Sequence, residues 1–242
     1  MNVKTLDSPN HSPRQTKKDK INFIIIHYTG MQSESESIKR LITKKSKVST
    51  HYLINKKGTL IKMVKDNRIA WHAGKSKWKN FINLNRQSIG IELVNKGHRH
   101  GYENFTKKQI TQLILLCKFL IKKYTIKQTN ILGHSDIAPL RKIDPGEKFP
   151  WQLLFKKKIG IWHNKNKTDI KIYNFKKNNI RNLFFSNLHK IGYRYFDKTK
   201  SMSSDIKIIK AFQRRFRQKK VNGLVDKECL QISHNLAYSL KN

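Results

Sequence analysis

At 242 residues, with 37% hydrophobic and 10% aromatic content, the chain can fill the core of one medium domain and a small one, which excludes a disulfide-stapled miniprotein and wholesale disorder. Basic residues outnumber acidic ones 52 to 15, a formal charge of +37, and the two cysteines, Cys117 and Cys229, are too few for a disulfide framework or a thiolate zinc site. Any metal must therefore be held by histidine and carboxylate, and no apolar run is long enough to cross a bilayer.

In chain order, residues 1 to about 20 are polar, carry two prolines and read as a flexible tail. They lack the apolar middle of a secretory signal, so the expected compartment is cytoplasmic, with a periplasmic or outer-membrane-associated site as the alternative. Ile21 to Ile26 is a buried strand by length and β-branching, ending in His27-Tyr28-Thr29-Gly30. Ser33 to about Thr43 has a helical pattern. Thr50 to Asn55 and Thr59 to Val64 are strands around Asn55-Lys56-Lys57-Gly58, a hairpin signal. Ser88 to Asn95 is a further strand. Thr106 and Gln109 form a capping box ahead of Ile110, Leu113, Ile114, Cys117, Leu120, Ile121 and Tyr124, which follow at helical spacing. Asn130 to Gly133 is a short strand that leads into a loop through Pro145-Gly146. This mixture predicts an α/β domain with a mixed sheet flanked by helices over residues 21–163. His163 to Thr168 has the composition of a linker. Ile180 to Ile191, Ser204 to Phe216 and Asp226 to Leu240 then predict a small all-α C-terminal domain over 169–242, near the lower size limit for independent folding.

The positive charge invites a nucleic-acid reading, but the 41 lysines form no single block and no recognition-helix or zinc-finger pattern accompanies them. Abundant lysine, asparagine and isoleucine fit AT-biased coding. Non-specific attraction to polyanions at low salt is expected; a specific nucleic-acid partner is not.

Three residues carry metal chemistry. His27 ends one hydrophobic strand, His134 follows another in Gly133-His134-Ser135-Asp136, and Asp144 lies ten residues later in Arg141-Lys142-Ile143-Asp144-Pro145-Gly146. Strand ends and the loops after them are where α/β folds place reactive groups. Two neutral imidazoles and one carboxylate supply three of the four ligands of zinc and leave one position for water, the catalytic arrangement. In Ser88-Ile89-Gly90-Ile91-Glu92-Leu93-Val94-Asn95, alternation puts Ile89, Ile91 and Leu93 on one face and Glu92 on the other. A carboxylate there is either salt-bridged, at an exposed face, or a general base tuned by burial. Lys142, two residues before Asp144, points the same way if the loop is extended and could stabilise an oxyanion.

His27-Tyr28-Thr29, Ser49-Thr50-His51-Tyr52, Trp71-His72-Ala73-Gly74, Ser88 to Glu92 and Gly133-His134 through Trp151 together resemble the zinc N-acetylmuramoyl-L-alanine amidases of the amidase-2 group, with the AmiD-like branch first and the AmpD-like branch next. That group is related to peptidoglycan recognition proteins and phage T7-type lysozyme. The resemblance covers residues 21 to 163. It implies His27, His134 and Asp144 as zinc ligands, Glu92 as the catalytic base and Lys142 as the oxyanion-stabilising lysine. The tyrosine of the phage-type branch is replaced here by Thr50. His51 either lines the cleft or anchors the hairpin, the latter being favoured. Trp71 and His72 form either a wall against substrate or part of the core. Arg141 either pairs with a substrate carboxylate or is exposed.

Ile191-Gly192-Tyr193, Ala211 to Phe216 and Gly223-Leu224-Val225-Asp226 are similar to the three-helix peptidoglycan-binding domain, an order found in AmiD-like enzymes. The expected function is hydrolysis of the amide between N-acetylmuramic acid and L-alanine of peptidoglycan or muropeptides, in wall turnover or recycling. The alternatives are a non-catalytic peptidoglycan-binding receptor on the same fold and a polyanion-binding basic protein.

Overall fold

The computed structural model describes residues 3–15, 19–164 and 177–239. In chain order these form β1 (Val3–Thr5), β2 (His11–Pro13), β3 (Phe23–Tyr28), α1 (Glu34–Ile42), β4 (Tyr52–Ile54), β5 (Leu60–Lys62), β6 (Arg68–Ala70), β7 (Lys77–Trp78), β8 (Phe81–Ile82), β9 (Ser88–Leu93), α2 (Lys107–Tyr124), β10 (Ile131–Gly133), α3 (His134–Ile137), α4 (Trp151–Lys156), α5 (Lys177–Ile191), α6 (Asp205–Phe216) and α7 (Lys227–Ser239). The main sheet has the order β1-β5-β4-β9-β3-β10. Only the β4–β5 hairpin is antiparallel in it, so the sheet is mixed, as the sequence predicts.

Strand β3 explains the layering. Phe23, Ile24, Ile25 and Ile26 are all fully buried, the signature of a strand covered on both faces. Ile24 and Ile26 join Ile89, Ile91 and Leu93 of β9 in a core closed by Ile110, Leu113, Leu116, Cys117 and Leu120 of α2. Helix α2 starts where expected: Thr106 Oγ1 accepts from the Gln109 N–H at 3.1 Å, and Gln109 Oε1 accepts from the Thr106 N–H at 3.1 Å. Phe23, Ile25 and Leu132 point to the opposite face. There they meet Phe184, Phe185 and Leu188 of α5, Phe212 and Phe216 of α6, and Leu230 and Leu236 of α7 in one continuous cluster.

The three C-terminal helices form where the sequence places them, and their apolar faces join those of the sheet in that one cluster. Most of the expected linker, His163 to Thr168, lies outside the described residues. The polar junction is as tight as the apolar one. Arg215 of α6 is buried, forms an ion pair with Asp136 of α3, donates to the Ile131 carbonyl at 2.8 Å and lies 4.3 Å over the Trp151 ring. The Tyr193 hydroxyl donates to the other Asp136 oxygen at 2.5 Å.

The N-terminal segment is a correction. Read as a flexible tail, it instead pairs β1 parallel to β5 and β2 antiparallel to β6. The Asn10 amide donates to the carbonyls of Thr43 and Val48 at 2.9 and 3.0 Å, and the Arg14 guanidinium donates to those of Arg68 and Ser88 at 3.0 and 3.2 Å. Strands of three residues carry no hydrophobic periodicity to read; β5 at the edge of the main sheet supplies the partner of β1, and β6 that of β2 in a separate two-stranded ribbon.

Replacing Arg215 by methionine leaves the Asp136 carboxylate buried without its partner, and a loss of about 3–5 kcal/mol in unfolding free energy is expected by denaturant titration. The double variant R215M/D136N should recover part of that loss; equal losses in single and double variants would show that the pair is not what joins the two regions.

Candidate metal centre

The parallel pairing of β3 with β9 sets His27 opposite Glu92 in register. Because side chains alternate and Ile26 and Ile91 face α2, both His27 and Glu92 emerge on the other face, at the ends of their strands. His134 arrives one strand over, directly after β10, as the first residue of α3. The loop that follows folds back: the Ser135 N–H donates to the Asp144 carbonyl at 2.8 Å, which carries the Asp144 side chain to His134.

The result is a compact, buried triad. His27 Nδ1 and His134 Nδ1 are 2.9 Å apart, and each lies 3.1 Å from Asp144 Oδ2. Ligands of a tetrahedral zinc ion at 2.0–2.1 Å stand about 3.3 Å from one another, so the spacing fits. The donor chemistry fits too. His134 Nε2 lies 3.1 Å from the Ala73 carbonyl, which can only accept, so Nε2 carries the hydrogen and Nδ1 presents a lone pair to the centre. Burial, reinforced by the charge of His134, lowers the pKa of His27 to about 4, so that its ring is neutral at neutral pH. Burial alone would raise Asp144, but the imidazoles of His134 and His27 hold its carboxyl well below the usual range. Among the described residues this is the group of histidine, cysteine and carboxylate side chains placed to hold a metal ion.

Glu92 and Lys142 face the same cavity, of about 510 Å³. Glu92 Oε2 is sealed from solvent with no hydrogen-bond partner. Burial, and secondarily the charge of Asp144, raise its pKa to about 8, while Lys142 opposes the shift. A divalent cation in the triad would add a far larger opposing charge and favour the carboxylate. Among the described residues Glu92 forms no salt bridge, and its side chain is half-buried.

The remaining candidates separate. Trp71 lines the cavity and its indole N–H donates to Ser12 Oγ at 2.9 Å. Arg141 also lines it, but its guanidinium is spent on backbone, donating to the carbonyls of Ala73 and Lys75. His51 leaves the substrate group: it is fully buried, accepts from the Gly90 N–H at 3.0 Å and meets the Arg68 carbonyl at 3.2 Å, so it anchors strands and does not line the cavity. His72 lines the cavity but is buried, its ring packed edge-on against His27 with centroids 5.1 Å apart, and burial and the neighbouring imidazoles hold its pKa well below the ordinary value. Sequence reasoning did not find Asn85, whose Oδ1 accepts from the His72 and Ala73 N–H groups at 3.1 and 2.6 Å, nor His98, which bridges Tyr28 Oη and Glu147 at 2.9 and 3.0 Å on the cavity rim. A lone asparagine or histidine in a loop carries no local signal of such a role.

The comparisons with known proteins agree with this geometry. The profile of the Amidase_2 family, N-acetylmuramoyl-L-alanine amidase, matches residues 17–147. The N-acetylmuramoyl-L-alanine amidase AmiD of Escherichia coli K12 is 35% identical over 237 residues, 92% of this chain and 84% of that protein. The 1,6-anhydro-N-acetylmuramyl-L-alanine amidase AmpD of Haemophilus influenzae is 32% identical over 165 residues, 61% of this chain and 87% of that protein. The structure of E. coli AmiD in complex with the substrate anhydro-N-acetylmuramic acid-L-Ala-D-gamma-Glu-L-Lys superposes with a TM-score of 0.80 at 33% identity, over 91% of this chain and 90% of that one. AmpDh3 of Pseudomonas aeruginosa in complex with anhydromuramic pentapeptide gives 0.83 at 29% identity, over 91% and 92%. On the strength of the matched profile and of a relative aligned along nearly its whole length, this chain belongs to the Amidase_2 family of N-acetylmuramoyl-L-alanine amidases.

Proposed function

We propose that the protein is a zinc-dependent amidase that hydrolyses the bond between the lactyl group of N-acetylmuramic acid and L-alanine, in peptidoglycan or the muropeptides derived from it. The observation that carries this reading is the convergence of two Nδ1 atoms and one carboxylate oxygen within 3.1 Å beside a cavity that also holds Glu92 and Lys142. A non-catalytic receptor on this fold would be expected to lack a metal ligand, and all three are in place here. The bound anhydromuramyl peptides of the AmiD and AmpDh3 complexes support a muropeptide as the ligand of this cavity.

His27, His134 and Asp144 would hold the ion, which when bound lowers the pKa of a coordinated water and polarises the scissile carbonyl. Glu92 supplies the base: its side chain lines the cavity beside the triad, where its carboxylate takes a proton from the attacking water and returns it to the L-alanine nitrogen as that leaves. The Lys142 ammonium, close enough to act electrostatically on both Glu92 and His27, stabilises the charge that develops on the carbonyl oxygen. Trp71 and the fixed Arg141 shape the wall against which the substrate lies. On its motif resemblance, the region of α5–α7 is proposed to contact polymeric wall and raise the local substrate concentration.

Glu92→Gln should retain zinc and lose at least about two orders of magnitude in peptide release from muropeptides. Near-normal turnover would remove Glu92 from the chemistry. His134→Ala should lose both metal, by elemental analysis, and activity; full zinc occupancy in that variant would show that the ligand set is wrong. In metal-stripped protein the elevated pKa of Glu92 has a definite sign. Its folded state prefers the protonated carboxyl, so that contribution to stability is complete below the ordinary pKa and is lost as pH rises from about 4.5 to about 8. The melting temperature of the wild type should therefore fall relative to Glu92→Gln across that window, whereas parallel curves would mean an ordinary carboxylate.

A further inference from the structure

An imidazole presents a lone pair to a metal only if its other nitrogen carries the hydrogen, so something must hold each ligand in one tautomer. For His134 the Ala73 carbonyl does this. For His27 the outer nitrogen, Nε2, faces another imidazole instead: His72 Nδ1, at 3.0 Å. A histidine can donate or accept there, and the direction is settled further along. The Leu84 carbonyl can only accept, and the Ser88 hydroxyl donates its one hydrogen to it at 2.5 Å. Ser88 Oγ is then an acceptor toward His72 Nε2, at 3.1 Å, so the hydrogen of a neutral His72 resides on Nε2. That leaves a lone pair on His72 Nδ1, which takes the N–H of His27 Nε2. The lone pair of His27 is thereby placed on Nδ1, where His134 Nδ1 and Asp144 Oδ2 converge.

The scaffold maintains this line at its middle. Asn85 Oδ1 accepts from the backbone N–H groups of both His72 and Ala73. The absence of a side chain at Gly90, an oddity in the centre of β9, is explained by the same ring: a Cβ there would stand 2.5 Å from His72 Cγ. One segment, His72-Ala73, thus stands behind both imidazoles of the triad.

We infer that His72 is a positioning residue of the metal centre, which fixes the tautomer and orientation of His27 through the line Leu84 carbonyl–Ser88–His72–His27. This rests on the reading of His27, His134 and Asp144 as metal ligands. The test measures zinc affinity in the full-length chain by competition with a chromophoric chelator, with melting curves of the metal-free proteins alongside. His72→Ala should weaken zinc binding about 10–100-fold, the usual consequence of losing such a partner. His72→Asn, whose amide oxygen can accept where Nδ1 did, should restore most of that affinity. If His72→Ala does not fold, Ser88→Ala interrogates the same line and should also weaken zinc binding. Unchanged zinc affinity in His72→Ala or Ser88→Ala, or an asparagine variant as weak as the alanine one, overturns the inference. A wild-type chain that takes up no zinc overturns the metal reading itself, and this role for His72 with it.

Discussion

The parallel pairing of β3 with β9 is the constraint on which the site depends. In that register His27 stands opposite Glu92, and both leave the sheet on the face away from α2. Side chains along a strand alternate, so a slip by one residue would send Glu92 into the apolar core under α2 and bring Ile91 to the cavity. The two apolar clusters on either side of β3 are filled by side chains of different size and place, and a slip would disrupt the packing of both. Core packing and catalytic geometry are therefore enforced by the same pairing. His134 benefits likewise, because β10 pairs with β3 and delivers it one strand away.

The site gathers groups that are individually expensive to bury: the imidazoles of His27, His134 and His72, the Asp144 carboxylate and one oxygen of Glu92. Each is stabilised by a different device. Asp144 is held ionised by the imidazoles around it. His134 has a carbonyl to donate to, and Glu92 has no partner and shifts its proton affinity upward instead. That last arrangement is tolerable only where a cation or a proton is available.

The C-terminal helices enter the same balance. Through Arg215 and Tyr193 they hold both oxygens of Asp136, two residues along α3 from His134, and Asp136 Oδ2 also takes the Gly133 N–H at 2.7 Å. The backbone that presents His134 is thus braced by a region that composition would assign to a separate domain. In this chain the helical region contributes to the architecture of the site whatever it contacts outside.

Much was legible locally. The capping box of Thr106 and Gln109, the apolar spacing of α2, the run of isoleucines in β3 and the alternation that isolates Glu92 are patterns of short range, and they specify elements and faces before any contact forms. The loop from Gly133 to Gly146 likewise marked its residues by their crowding of reactive types. Contacts between distant segments had no such signature. That His51 serves as a strand anchor, that His72 stands behind His27, that β1 and β2 pair with β5 and β6 and that Arg215 reaches Asp136 all depend on pairings tens of residues apart. The sequence by itself determined the longer elements and which side chains could do chemistry, because backbone preference and side-chain period act over a few residues. Only the tertiary structure decided which of those side chains meet, because burial and hydrogen-bond direction belong to the packed chain.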